Sequence, residues 1–219
     1  MALISIRQRN KLATSFVLAP ERYDPRRELD AGDAKTVILD DLVTAVREVV
    51  QPSADLGRCL VLDTSDAREG IVTARKKPIE GSEIGSAKKV VEPHDVIISR
   101  LRPYLRQVAF VDAEIPNSEG AILTCSTEFF VLRSPDKQSI AFLVPFLLSH
   151  QVQEVLAAAQ EGGHHPRVNE STLLTLPVPV PFLDQREMIS KTIDKSVELY
   201  RKAERGIDET VAAAESSFS

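Results

Sequence analysis

The sequence predicts an α+β protein: a domain with a twisted, partly antiparallel sheet flanked by helices, followed by a long C-terminal helix for coiled-coil packing. Three observations predict it. Short runs rich in β-branched residues crowd the middle of the chain, helical patterns return after them, and an apolar stripe fills the C-terminus. We therefore expect one domain at residues 1–181 and a helical arm at residues 182–219.

The strands are predicted between Cys59 and Leu132, where β-branched and aromatic residues alternate with Gly, Pro, Asp and Ser clusters. The runs are CLVLD, GIVTAR, KKVVE, DVIIS, QVAFV, AILTC and EFFVL. So many short strands in so short a segment predict a sheet with irregular, partly antiparallel connections.

Helices are predicted on both sides of these strands. Before them, DDLVTAVREVVQPS places apolar residues from Leu42 to Val50 at helical spacing, and Pro52 ends the pattern. After them, IAFLVPFLLSHQVQEVLAAAQ predicts helix, with Pro145 at a kink or at a junction between two short helices. EGGHHPRVN then predicts a loop, and STLLTL a helical turn.

The C-terminal segment predicts a long exposed helix. Pro177, Pro179 and Pro181 predict an extended approach, and Asp184 with Glu187 predicts a capping box at the start of the helix. A helix of about 34 residues is on the order of 50 Å long, more than the span of a small domain. We therefore expect it to project and to pair with another helix, although it could also fold back on its own domain. The residues predicted to form the dimerisation stripe are Ile189, Ile193, Val197, Tyr200, Ile207 and Val211.

Composition predicts a cytoplasmic protein without a membrane span. The longest apolar run, IAFLVPFLL, is broken by Pro145 and is much shorter than the roughly 20 residues of a membrane helix. The N-terminus lacks the pattern of a signal peptide. Cys59 and Cys125 lie far apart in strand-like segments, so we expect buried free thiols in a reducing compartment.

Charge is distributed unevenly along the chain. The net charge is −5, but residues 75–106 hold eight Lys and Arg residues against four Asp and Glu residues, a local net charge of +4. A DNA-binding protein needs such local positive potential and does not need a basic total. A solvated basic face without a partner explains the charge equally well.

The sequence contains no P-loop, GxGxxG, GxSxG or HExxH motif. Its most unusual polar group is GGHHPR, with His164, His165 and Arg167 in a glycine-rich loop. Metal binding or acid–base catalysis there lacks supporting ligand spacing, so we expect no metal, no cofactor and no catalytic residue. Contact with a phosphate backbone or a base edge is the preferred interpretation, and a loop that merely packs on the sheet is the alternative.

Four segments in order resemble the DNA specificity (S) subunit of Type I restriction-modification systems, a family of phage-defence proteins. They are DVIISRLRPYLRQVAFV, CSTEFFVLRS, FLLSHQVQEVLAAAQEGGHHPRVN and LLTLPVPVPFLDQREMI. Two mild departures are His94, where the family usually has glycine, and Asp184, where it usually has glutamate. A typical member has two target-recognition domains and two helical regions, whereas this chain has room for one of each.

The resemblance implies a non-catalytic half-subunit that reads one half of a bipartite site in double-stranded DNA. It also implies docking to a methyltransferase subunit, with a restriction subunit as a further candidate partner, and a homodimer through the C-terminal helix. Arg100 and Arg102 could equally be structural if they alternate along a strand. The residues expected to contact DNA are Arg75, Lys76, Lys77, Lys88, Lys89, Arg100, Arg102, Arg106, His164, His165 and Arg167.

Two other function classes stay open at the level of sequence. One is a coiled-coil adaptor whose α/β domain binds a protein. The other is a small hydrolase that uses the loop with His164 and His165. Salt-dependent binding to duplex DNA distinguishes the specificity subunit from both.

Overall fold

The protein folds into stacked sheets covered on one side by helices. The structure is a computed structural model that describes residues 6, 23–73, 75–115 and 120–218. The strands are β1 Thr36–Ile38, β2 Thr44–Val46, β3 Arg58–Leu62, β4 Ala67–Arg68, β5 Gly70–Val72, β6 Ile79–Glu80, β7 Lys88–Val90, β8 Val96–Ser99, β9 Val108–Phe110, β10 Ile122–Ser126, β11 Phe129–Arg133 and β12 Pro177–Pro179. The helices are α1 Leu143–Leu148, α2 His150–Ala158, α3 Glu170–Leu174, α4 Val180–Leu183 and α5 Arg186–Ser216. The mixed α+β prediction is confirmed, and each predicted run between Cys59 and Leu132 contains a strand.

The described strands form three sheets. The largest has the order β2-β11-β8-β9-β5-β4, the second has the order β6-β3-β10-β7, and β1 pairs with β12 in a two-stranded sheet. The β5–β9 and β3–β10 pairs are parallel, and the other pairs are antiparallel. This mixture agrees with the predicted partly antiparallel connectivity.

The six-stranded sheet lies between two cores. Along β8, Val96 and Ile98 join the core beneath the helices, whereas Ile97 joins the core shared with the four-stranded sheet. In β11, Phe130 joins the core beneath the helices, and Phe129 joins the core shared with the four-stranded sheet. Successive side chains of a strand point to opposite faces, so apolar residues at consecutive positions bury both faces of this sheet.

The helix predicted between Leu42 and Val50 is wrong. A 3₁₀ turn at Leu39–Asp41 leads instead into β2, which pairs with β11, and Val50 bridges to Lys88. The segment contains four valines and Thr44, β-branched residues that fit an extended chain well, and β11 offers an open edge. Sheet pairing therefore outweighs the helical spacing of its apolar residues.

A buried ion pair joins β8 to β11. Asp95 is 1% exposed, and Arg133 donates to its carboxylate from Nε at 2.9 Å and from Nη2 at 2.8 Å. The backbone N–H of Glu92 also donates to Asp95 at 2.8 Å. His94, next to it, has φ 75°, a conformation that favours glycine. This is a physical reason for the glycine that the resembling family usually has there.

The helices cover one face of the large sheet. Pro145 lies in the first turn of α1, where its missing N–H costs no helical hydrogen bond. The junction between the two short helices is Ser149, whose hydroxyl accepts from the N–H of Val152 at the start of α2. Two short helices do form, but the prediction that Pro145 lies at a kink or at their junction is wrong. The predicted turn at STLLTL is α3.

The approach to α5 differs from the prediction at its end. Pro177 and Pro179 lie in the extended strand β12, as predicted, but Pro181 lies in the first turn of α4. Asp184 is helical, with φ −60° and ψ −23°, so it cannot adopt the extended conformation of an N-cap. Gln185 takes that position without accepting a capping hydrogen bond, since its side-chain amide donates to the carbonyl of Pro181 instead, and the predicted capping box does not form.

The first half of α5 packs on its own domain. Val197 is buried, and Ile189 and Ile193 pack against the same core as the other helices. Farther along, Ile207 is 60% exposed and Val211 is 50% exposed. The expectation that the whole stripe faces a partner is therefore too broad, because its first half completes the chain's own core.

Two further observations concern the described part of the chain as a whole. Cys59 and Cys125 are free and fully buried, and burial raises the pKa of the Cys125 thiol to about 12. Within that part, no helix combines the length and the apolarity needed to cross a bilayer.

Candidate nucleic-acid interface

Two loops meet at one end of the large sheet. The first is the turn Pro103–Leu105, between β8 and β9, and the second is the glycine-rich loop 162–166, between α2 and α3. Leu101 and Arg167 form an antiparallel bridge, and the N–H of Val168 donates to the carbonyl of Arg100 at 2.9 Å. These backbone bonds fix one loop beside the other.

The turn Pro103–Leu105 is held in a strained conformation. Arg102 has φ 45° and Arg106 has φ 52°, so left-handed residues other than glycine bound the turn at both ends. Tyr104 is 69% exposed at its tip, and Leu105 is 42% exposed. Such backbone strain is concentrated at functional sites in proteins, and an exposed aromatic ring at a strained tip is suited to contact with a ligand.

The glycine-rich loop is anchored by Arg167. Its guanidinium donates to the Glu128 carboxylate from Nη2 at 2.6 Å and from Nε at 3.0 Å, and Nη1 donates to the carbonyl of His165 at 3.0 Å. His164 and His165 remain exposed, with ring centroids 6.5 Å apart. Arg167 therefore positions the histidines and is already occupied by protein groups.

Both loops line a cavity of about 520 Å³. Its lining includes a phenol, two imidazoles, a guanidinium and two side-chain amides, groups that donate to phosphate oxygens and to the edges of bases. The lining residues are Thr64, Leu101, Arg102, Tyr104, Leu105, Gln107, Gln160, His164, His165 and Pro166. The cavity thus brings together three of the residues expected to contact DNA, namely Arg102, His164 and His165.

Several other predicted residues are neutralised by neighbouring carboxylates. Lys76 Nζ lies 2.6 Å from Asp63 and 2.5 Å from Asp66. Arg106 lies 3.5 Å from Glu69. Arg75 forms ion pairs with Glu204 and Asp208 of α5. These cations contribute less net positive potential than the sequence suggests.

Lys88 and Lys89 are unsuited to a phosphate contact, contrary to the expectation from sequence. Lys88 is 9% exposed and donates from Nζ to the hydroxyl of Ser86 at 2.7 Å. Lys89 is 8% exposed and donates to the carbonyl of Phe129 at 3.0 Å, and burial lowers the pKa of its ammonium group. Both lie in β7, where successive side chains point to opposite faces of the sheet, and both stems are covered by the protein.

Arg100 and Arg102 have different roles. They do not alternate along a strand, because β8 ends at Ser99. Arg100 stacks over the Phe130 ring at 5.5 Å and lies 3.9 Å from Glu128, so it supports the floor of the site. Among the Lys and Arg residues expected to contact DNA, Arg102 and Lys77 are exposed and make no ion pair or side-chain hydrogen bond with the described part of the chain. Arg102 is the one at the cavity.

Sequence reasoning missed the uncharged members of the cavity. Tyr104, Leu105, Gln107 and Gln160 line the cavity but carry no charge, so the distribution of charge along the sequence gives no signal for them. The segment LRPYLR carries a usable signal, since an aromatic residue next to proline and between arginines is typical of an exposed binding turn. No group of three or more His, Cys, Asp or Glu in the described ranges is arranged to hold a metal ion.

The Glu128–Arg167 pair predicts a pH effect on stability. Hydrogen bonding to Arg167 lowers the pKa of Glu128 in the folded protein. A lowered folded-state pKa stabilises the fold above the unfolded value, about 4.3, and the stabilisation is lost as the pH falls through the folded pKa. We expect Glu128→Gln to unfold at a lower temperature than the wild type between pH 6 and 8. The difference should shrink below about pH 4, and a difference that grows in acid would contradict this assignment.

Comparison with known proteins relates this architecture to solved structures. No protein-family model and no curated protein matches the sequence. The crystal structure of the HsdS subunit from Thermoanaerobacter tengcongensis matches 85% of the chain with a TM-score of 0.56 and 24% identity. The chain has the fold of one half of an HsdS subunit. The resemblance found in the sequence is thereby confirmed at the level of the fold.

A second solved structure shares the fold of this chain. It is a chain from a structure described as the structural basis underlying complex assembly and conformational transition of the type I R-M system. That match covers 84% of this chain with a TM-score of 0.58 and 24% identity. The chain spans about half the length of the proteins it matches, 47% of each. The single recognition domain and the single helical region expected from the sequence stay a prediction.

Proposed function

We propose that this protein is a half-length specificity subunit of a type I restriction-modification system. It would read one half of a bipartite site in double-stranded DNA and would have no catalytic role. The observation that carries the proposal is the fold shared with an HsdS subunit over 85% of the chain. Methylation and cleavage would belong to other subunits that act on cytoplasmic DNA.

The cavity between the two loops is the proposed reading site. Its lining supplies donors and acceptors for base edges, and Arg102 supplies an unpaired positive charge for a phosphate. Because most of the other Lys and Arg residues expected to contact DNA are paired or buried within the described part of the chain, few phosphates would be neutralised. We therefore expect a shallow salt dependence, with log K falling by about 0.9 per log unit of salt for each phosphate contacted.

Binding to duplex DNA at several salt concentrations tests the proposal. Fluorescence anisotropy with a mixed-sequence duplex should detect binding at low salt that weakens as salt rises. The same titration is repeated in the presence of the methyltransferase subunit, which the proposal names as a partner. Absence of binding at low salt in both titrations would overturn the proposal and would favour an adaptor that binds protein.

A homodimer through the exposed half of α5 would restore the bipartite arrangement. Ile207 and Val211, about one helical turn apart, are 60% and 50% exposed, and Phe218, just after the end of the helix, is 91% exposed. An apolar stripe of this kind is usually covered by another helix. The second copy is the proposed occupant because one chain provides only half of the matched structures.

The double variant Ile207→Glu, Val211→Glu is expected to be monomeric at concentrations where the wild type is dimeric. Charges in the stripe would have to be buried in the interface, and their repulsion would oppose it. Sedimentation equilibrium measures the change. Leu199→Glu is the matched control, since Leu199 is 54% exposed on another face of α5. A double variant that stays dimeric, or a control that becomes monomeric, would overturn this interface. Deletion of α5 is a poorer test because Val197 belongs to the core.

A further inference from the structure

Arg201 is a buried charge in the middle of an otherwise exposed stretch of α5. The residue is 6% exposed. Its Nη2 donates to the carbonyl of Val72 at 2.7 Å and to Asp112 at 2.9 Å, and its Nη1 donates to Glu204 at 2.8 Å. Neither the proposed reading of DNA nor the proposed dimer stripe uses this residue.

Further ion pairs surround Arg201. Arg75 donates to Glu204 at 3.2 Å and to Asp208 at 3.0 Å, and Arg205 pairs with Glu114. They connect α5 to two loops of the sheet domain, one after β5 and the other after β9. Arg75, which the sequence assigns to a phosphate, therefore belongs to the contact between the domain and the helix.

Apolar packing between α5 and the domain ends at Val197, the last buried apolar residue of the helix. Beyond it, charged side chains make the hydrogen bonds and ion pairs that join α5 to described residues of the sheet domain. A cavity of about 200 Å³ lies beside Val197 and Arg201, between α5 and the loop after β9. Apolar contacts have no preferred direction, whereas charge-assisted hydrogen bonds from a planar guanidinium do. Beyond Val197, the charged network therefore supplies the directional contacts between the helix and the domain.

We propose that Arg201 is a positioning residue that fixes the orientation of the sheet domain on α5 and so sets the spacing between the two half-sites read by a dimer. About 15 residues of helix follow Arg201, a length of about 23 Å. A tilt of about 10° would move the far end by about 4 Å, more than the rise of about 3.4 Å per base pair of DNA. The part concerning spacing rests on the proposed function, whereas the part concerning orientation does not.

A distance measurement tests the orientation without DNA. Spin labels on Asp33→Cys and Ala213→Cys report the domain and the helix, since the native thiols are buried. Labelled protein is diluted with unlabelled protein so that pulsed electron resonance measures distances within one chain. We expect Arg201→Met to broaden the distance distribution at least twofold. Lys195→Met, which removes a pair within the helix, should leave it unchanged.

A double variant distinguishes a change of orientation from a folding defect. Arg201→Met leaves Asp112 without its principal partner, so Arg201→Met combined with Asp112→Asn removes the pair without an orphaned charge. This variant should also broaden the distribution while circular dichroism stays native. An unchanged distribution in the folded double variant would overturn the role of Arg201.

Selection from a duplex library tests the spacing. The library carries half-sites enriched by the wild type, separated by every spacer from 4 to about 10 base pairs. The wild type should prefer one spacer. Arg201→Met should bind duplexes with neighbouring spacers with affinities that differ by less than about fivefold from its affinity for the preferred spacer. Its affinity for one half-site should stay within about twofold of the wild-type value. An unchanged spacer preference despite a broadened distance distribution would overturn the link to specificity. If the wild type binds no DNA, the proposed function fails, and the distance measurement still decides the orientation.

Discussion

Replacement of both Arg102 and Tyr104 by alanine is expected to weaken binding of duplex DNA by about 100-fold. Arg102 lines the cavity without an ion pair from the described part of the chain, and Tyr104 is 69% exposed at the tip of the adjacent turn. A single arginine contact with DNA contributes about 1–3 kcal/mol, and about 1.4 kcal/mol corresponds to a tenfold change in affinity. Fluorescence anisotropy at constant salt measures the loss.

The single variants separate charge from shape. Arg102→Ala should reduce the slope of log K against log salt by about 1 if the guanidinium contacts a phosphate, whereas Tyr104→Ala should lower affinity with the slope unchanged. Lys195→Ala, a change of charge on α5 away from the cavity, is the control. An affinity of the double variant within twofold of the wild type would contradict the assignment of the cavity.

Replacement of Arg133 by methionine is expected to destabilise the fold by roughly 3 kcal/mol, the lower end of the range for breaking a buried pair. Asp95 is 2% exposed in its side chain and would keep the N–H of Glu92 as its hydrogen-bond donor. We use the lower end of the range because the Arg133 side chain is 29% exposed, so solvent partly screens the ion pair. Urea unfolding followed by circular dichroism measures the midpoint and slope.

The matched control is the double variant Asp95→Asn, Arg133→Met. Removing both charges avoids an unpaired carboxylate between β8 and β11, and the amide oxygen can still accept from the N–H of Glu92. The double variant should therefore be more stable than Arg133→Met alone. If Asp95→Asn lowers the free energy of unfolding as much in Arg133→Met as it does in the wild type, the two residues act independently. The pair then does not join the strands as described.

The strands could be predicted because their signals are local. Runs such as DVIIS and EFFVL combine β-branched or aromatic residues with boundaries of Gly, Pro, Asp and Ser, and they became β8 and β11. The segment from Leu42 to Val50 could not be assigned in the same way. Its spacing suits a helix, and only the open edge of β11, far along the chain, makes it a strand.

The length and place of α5 could also be predicted, but not its surroundings. The stripe from Ile189 to Val211 shows that one side of the helix is covered, and periodicity does not reveal whether the cover is the same chain or another. The structure divides the stripe, with Val197 in the core and Ile207 exposed. The capping box failed because the preceding residues are themselves helical.

The candidate site was predicted in part. His164 and His165 stood out because adjacent histidines in a glycine-rich loop are unusual, and they lie at the cavity. Lys88 and Lys89 share the charge of the basic region, but pairing of β7 with β10 buries them. The distribution of charge along a sequence therefore indicates a basic region, whereas exposure and ion pairing decide which of its side chains can contact DNA.

Amide hydrogen exchange with and without bound DNA tests the central claim most directly. We expect a cognate or mixed-sequence duplex to slow exchange in residues 101–107 and 160–166, which line the cavity, and to leave β7 and residues 191–199 of α5 unaffected. Exchange that slows at β7 or on α5 instead, with the cavity loops unchanged by saturating DNA, would contradict the assignment of the reading site.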